Sequence, residues 1–231
     1  MQNNPINTAM ILAAGRGMRM RPLTDKIPKP LLKVAGKHLI EYHINALVAA
    51  GIENIVINTA WLGEQIPQTL GDGEKYGCRL LYSPEPVGAY ETAGGIINAL
   101  PLIDTQNFLL VNGDVWCDYC FENLLAKPLP GGTAKIVLVN NPEHNLNGDF
   151  ALTDGIAQVN GTDKLTYSGI GLFEREFFTG YADFPLSLGK VLRDKIAKRQ
   201  VFAEFFKGTW FDIGTPDRLK YLDNYLKSNQ Q

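Results

Sequence analysis

Leu12-Ala13-Ala14-Gly15-Arg16-Gly17-Met18-Arg19-Met20-Arg21-Pro22-Leu23-Thr24, with Pro28-Lys29-Pro30 close behind, follows directly on the apolar residues Met10 and Ile11. Read physically, a buried strand ends here in a loop of bare backbone N–H groups and cationic side chains. Glycine lets the backbone come close to an anion, and arginine and lysine neutralise it. The stretch therefore describes a polyphosphate cradle at the carboxyl end of a strand, the edge where open α/β sheets hold ligands. Two common fingerprints fail on it. A dinucleotide motif lacks its third glycine, because Gly15-Arg16-Gly17 runs into Met20, and no Walker A loop is present. Both of those motifs open a helix at once, whereas the prolines at 22, 28 and 30 predict an extended loop.

Outward from this loop the chain alternates short apolar runs with amphipathic ones. Strands are expected at residues 9–13, 54–59, 79–82, 108–111 and 135–139, and helices at 39–50, 62–70, 91–100 and 121–126. That order predicts an α/β, Rossmann-like three-layer sandwich with a mostly parallel central sheet. Leu39, Tyr42, His43, Ala46, Leu47 and Ala50 keep helical spacing, which puts His43 against the sheet rather than in a site. After Pro142 the texture changes to short strands at 150–153, 156–159 and 165–173, joined by turns at Asp154-Gly155 and near Gly161. A helix at 186–196 and strands at 201–206 and 210–213 follow. Thr215-Pro216-Asp217 then opens a last helix, with threonine as cap and proline in the first turn. The change at Pro142 reads as a small inserted β subregion within one domain of residues 1–231.

The bulk composition narrows the partners. The chain has 231 residues, 45% hydrophobic and 20% charged, with a formal net charge of −2. That balance suits a soluble globular protein and gives no basic surface for nucleic acid. No apolar run reaches the roughly 20 residues of a membrane span, and the first seven residues lack the pattern of a secretory leader. Cys78, Cys117 and Cys120 suit a reducing compartment, so a cytoplasmic location is expected. Cys117-Asp118-Tyr119-Cys120 has the C-x-x-C form, but there is no second pair and the histidines are scattered. Ordinary thiols are the expectation.

Two more segments carry chemistry. Leu109-Leu110-Val111-Asn112-Gly113-Asp114 ends a buried strand in an aspartate at the same edge as the cradle. Thr209-Trp210-Phe211-Asp212-Ile213-Gly214-Thr215 sets an aspartate between large apolar residues, where a carboxylate needs a cation or donors. Alone, Asp114 reads equally as a turn residue and Asp212 as a capping acid. Together with a polyphosphate they describe a Mg²⁺ site, since that ion commonly takes one or two carboxylates plus phosphate oxygens.

With these three segments in place, the chain resembles the sugar-1-phosphate nucleotidyltransferases. The glycine-x-glycine-x-arginine loop with Pro28-Lys29-Pro30, then Asn112-Gly113-Asp114, then Trp210 to Pro216 match that family's motifs in order, over essentially the whole chain. Within the family, Tyr82-Ser83-Pro84-Glu85, Glu91-Thr92-Ala93-Gly94-Gly95-Ile96 and Gly148-Asp149-Phe150 most resemble members acting on UTP and N-acetylmuramate 1-phosphate in cell-wall recycling. The resemblance implies a pyrophosphate-releasing transfer from a nucleoside triphosphate to a sugar 1-phosphate, by a monomer or small homo-oligomer. Mannose 1-phosphate with GTP, or glucose 1-phosphate with dTTP or UTP, are the neighbouring possibilities. A nucleotide-sugar-binding regulator without turnover is the alternative of another class.

The resemblance also implies roles. Leu12, Ala13, Ala14 and Gly15 would hold base and ribose through their backbone. Gly17, Met18 and Arg19 would wrap the β- and γ-phosphates, and Lys29 would reach the α-phosphate. Asp114 and Asp212 would hold Mg²⁺, with Asn112, Asp149, Glu91 and Gly94 toward the sugar phosphate. The catalytic set is Arg19, Lys29, Asp114 and Asp212. Residues 8–140 would form the nucleotide half, 141–207 the sugar-binding subregion and 208–231 the metal motif and final helix. Glu85, an acceptor when ionised, suits the imide N–H of uracil, thymine or guanine, with Glu91 an equal candidate for that task. Two departures stand out. Met18 replaces a hydroxyl residue common in the family, and the glutamate-lysine-proline segment that brings a lysine to the sugar phosphate is missing. Lys164 and Arg193 are unranked substitutes for it.

Overall fold

The computed structural model describes residues 6–126 and 129–229; the leader reading on the first residues falls largely outside them. In chain order the elements are β1 (Thr8–Leu12), β2 (Lys33–Val34), β3 (Lys37–His38), α1 (Leu39–Ala49), β4 (Asn54–Thr59), α2 (Gln65–Leu70), β5 (Arg79–Pro84), α3 (Glu91–Ala99), β6 (Asn107–Asn112) and β7 (Val115–Cys117). They continue with α4 (Glu122–Leu125), β8 (Ala134–Val139), β9 (Phe150–Thr153), β10 (Ile156–Gln158), β11 (Lys164–Glu174), α5 (Leu188–Ile196), β12 (Val201–Phe205), β13 (Trp210–Asp212) and α6 (Pro216–Ser228).

Nine strands form one sheet in the order β5-β4-β1-β6-β11-β8-β12-β10-β9. Alternation along each strand builds the two faces. Met10, Val56 and Leu110 point into one core with α3 and α5, while Ala9, Ile11, Ile55, Ile57, Leu109 and Val111 point into the other with α1, α2 and α4. The helix–sheet–helix layering read from the sequence is therefore present. The sheet itself is mixed. Parallel pairing runs through β5, β4, β1 and β6, and β12 pairs parallel with β8, but β11 is antiparallel to both β6 and β8. The β-rich region after Pro142 thus adds strands to the central sheet instead of standing apart. Its longest strand, β11, lies beside β6 in the middle.

Three local expectations needed correction. The loop after β1 is not extended. It folds into compact 3-10 turns at Met18–Met20, Leu23–Asp25 and Lys29–Leu31, because Gly17 takes a left-handed φ of 65° and Pro22 sits at φ −84°, ψ −1°, a turn conformation. The helix expected from residue 62 starts only at Gln65, since Leu62 adopts φ 50° and cannot belong to it. The helix expected from 186 starts at Leu188, where the Ser187 hydroxyl accepts the Lys190 N–H. At the C-terminus the reading holds: Thr215 accepts from the Arg218 N–H and Pro216 opens α6.

The strand order reverses between β1 and β6, so the segments after these two strands diverge around a crevice. A small antiparallel ribbon of β7 and β13 sits next to it. Trp116, Phe211 and Tyr225 pack together at ring separations of 5.2–6.0 Å, and Ile213 is fully buried with Leu222 of α6. This packing explains the large apolar residues around Asp212. They hold the ribbon to α6.

Candidate active site

The crevice at the strand switch is a cleft of about 510 Å³ lined by residues 12–20, Lys29, Glu85, Glu91 and Asn112–Asp114, among others. The glycine loop forms one wall. Its shape is fixed by Thr24, buried, whose hydroxyl donates to the Gly17 carbonyl at 2.8 Å, and by the Trp61 indole N–H, which donates to the Thr24 carbonyl at 2.9 Å. A Cβ on Gly17 would stand 3.0 Å from the Thr24 methyl and 3.3 Å from the Lys29 Cβ, besides being strained at that φ. The Arg16 guanidinium stacks 4.2 Å from the Trp61 ring centroid, and Arg19 and Met18 are exposed at the wall.

The floor comes from the end of β6. The Gly113 N–H donates to the Leu12 carbonyl at 2.9 Å, and a Cβ there would lie 2.7 Å from that oxygen, so only glycine lets the two strand ends close up. The next residue is Asp114, whose Oδ2 is 2.8 Å from the Nζ of Lys29. Lys29 is a buried residue, and a buried ammonium requires such a partner. Asn112 lines the floor and carries a buried side-chain oxygen with no partner among the described residues.

Asp212 reaches this place through the ribbon. It is paired with Val115 in register, and the Ile213 N–H donates to the Asp114 carbonyl at 2.7 Å. The two aspartates that stand far apart in sequence are thus backbone neighbours. Asp212 is not a lining residue itself, although Gly214 is. Its carboxylate is held by the Arg218 guanidinium and by His144, whose Nε2 lies 3.1 Å away. No cluster of three acidic, histidine or cysteine side chains occurs among the described residues. Mg²⁺ as polyphosphates carry it commonly takes one or two carboxylates, and Asp114 is the one of the two aspartates that lines the cleft.

The opposite wall holds Glu85. Asn58, at the end of β4, accepts the Ala13 N–H at 2.7 Å and offers its amide to Glu85 Oε1 at 3.4 Å, linking the glycine loop to this carboxylate. Glu85 Oε2 is buried without a partner among the described residues, and desolvation raises its pKa against the opposing effect of the Asn58 hydrogen bond. Glu91 also lines the cleft, at the first residue of α3, with a φ of 56°.

Besides Asp212, two further sequence candidates, Gly94 and Asp149, lie outside the cleft lining. Gly94 is buried in α3, where a Cβ would meet the Phe184 ring at 2.7 Å; its N–H donates to the Leu186 carbonyl. The Asp149 carboxylate accepts the Tyr167 N–H at 2.8 Å and tethers the turn before β9 to β11. His43 is buried on α1 as expected, with a pKa lowered to about 4 mainly by desolvation. Burial likewise pushes the Cys117 thiol up to about 11, which leaves it a poor nucleophile. Sequence reasoning missed Asn58, Arg218 and His144. Asn58, a polar residue closing an apolar strand, carried a readable signal; the other two gave none, since only the fold brings them to Asp212.

A strand-switch cleft with a glycine-arginine wall and paired lysine and aspartate floor defines a nucleotide-transferring α/β enzyme. The chain belongs to the nucleotidyl transferase family, whose model matches residues 8–152. It is 51% identical over 219 residues to the N-acetylmuramate alpha-1-phosphate uridylyltransferase of Neisseria meningitidis serogroup B, covering 92% of this chain and 95% of that one. The Caulobacter vibrioides protein of the same name is 31% identical over 222 residues, 90% of this chain and 92% of its own. Among solved structures, HddC from Yersinia pseudotuberculosis complexed with GMP-PN superposes with a TM-score of 0.77 at 20% identity, over 95% of this chain and 99% of that one, a likeness of fold.

Proposed function

We propose that the chain transfers the uridylyl group of UTP to N-acetylmuramate 1-phosphate and releases pyrophosphate. The observation that carries the chemistry is the Lys29–Asp114 pair, 2.8 Å apart on the floor of a cleft walled by the glycine loop. The substrate assignment rests on the 51% identity along nearly the full length of the Neisseria protein.

The sugar phosphate oxygen is already anionic, so no general base is needed. What the protein must do is bring two anions together and align attacker, phosphorus and leaving group. The backbone of Leu12, Ala13, Ala14 and Gly15 takes base and ribose, with Glu85 accepting the uracil imide N–H. Gly17, Met18 and Arg19 hold the β- and γ-phosphates through backbone N–H groups and one guanidinium, so the missing hydroxyl at Met18 removes a single contact. Lys29 meets the α-phosphate, where charge rises as pyrophosphate departs. Asp114 and Asp212 would hold Mg²⁺, which when bound neutralises phosphate charge. Asn112, on the floor, and Glu91 also line the cleft and would face the sugar phosphate.

The test is a matrix of UTP, dTTP, GTP and CTP against the 1-phosphates of N-acetylmuramate, N-acetylglucosamine, glucose and mannose, with Mg²⁺ and a pyrophosphate readout. UTP with N-acetylmuramate 1-phosphate should give the highest kcat/KM, and Asp114→Asn should lower it about 100-fold or more. A different preferred pair would replace the substrate assignment, and silence in every well would leave a binding protein.

A further inference from the structure

We infer that Arg218, assisted by His144, binds the phosphate of the acceptor; the inference rests on the reaction proposed above. That reaction brings a second anion into the cleft, and the sequence contains no glutamate-lysine-proline segment to meet it. The two substitutes offered by the sequence do not answer. Neither Lys164 nor Arg193 lines the cleft. Arg193 donates to the Gly189 carbonyl of its own helix at 3.2 Å and lies over the Phe150 ring.

Arg218 and His144 are not lining residues either, but the Arg218 guanidinium packs on Gly214, which is. The Arg218 backbone is fixed in the first turn of α6 by the Thr215 cap, and its side chain folds back over that glycine. A Cβ on Gly214 would meet Nη2, Cζ and Nη1 at 3.0–3.3 Å, so a bare backbone lets the guanidinium lie flat at the cleft edge. Only one edge of the group is occupied. Nη1 donates to the Asp212 carboxylate and reaches the His144 ring at 3.1 Å, whereas Nη2 and Nε have no acceptor among the described residues. A guanidinium with free donors in a fork fits phosphate oxygens better than a point charge does.

His144 completes the arrangement from the other side of the sequence. Its loop is fastened to β11, since Asn145 donates to the Thr166 hydroxyl at 3.1 Å and Asp149 accepts from Tyr167. The imidazole is 3.1 Å from Asp212 Oδ1, so Arg218 is held between a carboxylate and a ring and keeps its free edge in one orientation. The Ile213–Asp114 hydrogen bond sets the backbone between Asp212 and Gly214 beside the floor residue Asp114. One anion is served by residues 15–19 and Lys29, and the other by Arg218.

Steady-state kinetics with each substrate varied separates this role from support of Asp212. In Arg218→Gln the KM for N-acetylmuramate 1-phosphate should rise at least about 10-fold while the KM for UTP stays within about twofold. Arg218→Lys should fall between wild type and Arg218→Gln, and His144→Gln should shift the acceptor KM in the same direction by less. Binding of Mn²⁺ to the UTP complex, read by water-proton relaxation, should be unchanged within about twofold in all three. An unchanged acceptor KM in folded Arg218→Gln would overturn the inference, as would a loss of Mn²⁺ affinity that accounts for the rate. Should Arg218→Gln fail to fold by circular dichroism, the other two variants decide by the same criteria. A wild-type protein silent with this substrate pair would overturn the proposed reaction itself, a result distinct from a wild type that turns over beside an indifferent Arg218 variant.

Discussion

The Nζ of Lys29 lies 2.8 Å from Oδ2 of Asp114, across a sequence separation of 85 residues. The lysine side chain is 9% exposed and the aspartate 44%, so the ammonium is sequestered while the carboxylate keeps a face toward the cleft. The pair ties the turn that ends the glycine loop to the end of β6. A bound triphosphate would draw the lysine onto phosphate oxygens and free the aspartate for a cation.

Lys29→Ala should therefore lower kcat more than it weakens UTP binding, because the lysine contact strengthens as charge builds on the α-phosphate. Initial rates together with a UTP titration check this. Equal losses in both would make Lys29 a binding residue only.

Gly17→Ala tests the loop. The new methyl meets Thr24 at 3.0 Å and the residue must hold φ 65°, a conformation that costs an L-residue about 1–2 kcal/mol. The expected outcome is a KM for UTP raised roughly 10-fold, the size of effect that such strain converts to, with the fold retained by circular dichroism. An unchanged KM would mean that the loop's resting shape is not the one that takes nucleotide.

Glu85→Gln should erode discrimination between UTP and CTP, since an ionised carboxylate accepts from the uracil imide and repels the cytosine acceptor edge. The ratio of kcat/KM values is expected to fall about 10-fold. Burial raises the Glu85 pKa, so its stability cost sets in as pH rises through the folded-state pKa. Glu85→Gln should accordingly raise Tm at pH 7, an advantage absent below pH 4.

His43 gives the acid limb of stability. The ring hydrogen-bonds the Val115 backbone, its Nε2 is buried without a partner among the described residues, and its pKa falls from 6.5 to about 4. The unfolded chain takes up this proton below pH 6.5 and the native protein only near 4, so stability present above 6.5 is lost between them. A shift of this size corresponds to about 3 kcal/mol. Urea melts of wild type and His43→Met from pH 7 to 4 should converge as pH falls, the variant having the flatter profile.

Much of the nucleotide half was legible because its signals are local. Strand β4 matches its expected residues, β8 differs by one residue at one end, and β1 and β6 differ by one residue at each end, as apolar runs between turn residues should. Asp114 was legible at the end of such a run, and Lys29 as a proline-flanked cation close behind the glycine loop. The loop's compact turns escaped notice, since proline spacing alone does not report the left-handed Gly17 that turns the chain. Antiparallel insertion of β11 beside β6 was also invisible, because the paired segments, residues 170–173 and 108–111, are apolar and periodicity carries no direction. Arg218 and His144 were missed for a related reason. A cation in a first helical turn and a histidine in a loop are ordinary until α6 and β11 carry them to the same carboxylate.

The central claim is that this cleft joins a nucleoside monophosphate unit to a sugar phosphate at the expense of pyrophosphate. Phosphorus NMR of the protein with Mg²⁺, UTP and N-acetylmuramate 1-phosphate reads it directly. The account predicts loss of the three UTP resonances and of the sugar monophosphate, with one pyrophosphate and one coupled diphosphate pair appearing per UTP. Unchanged spectra, or orthophosphate growing while the sugar monophosphate persists, would contradict it.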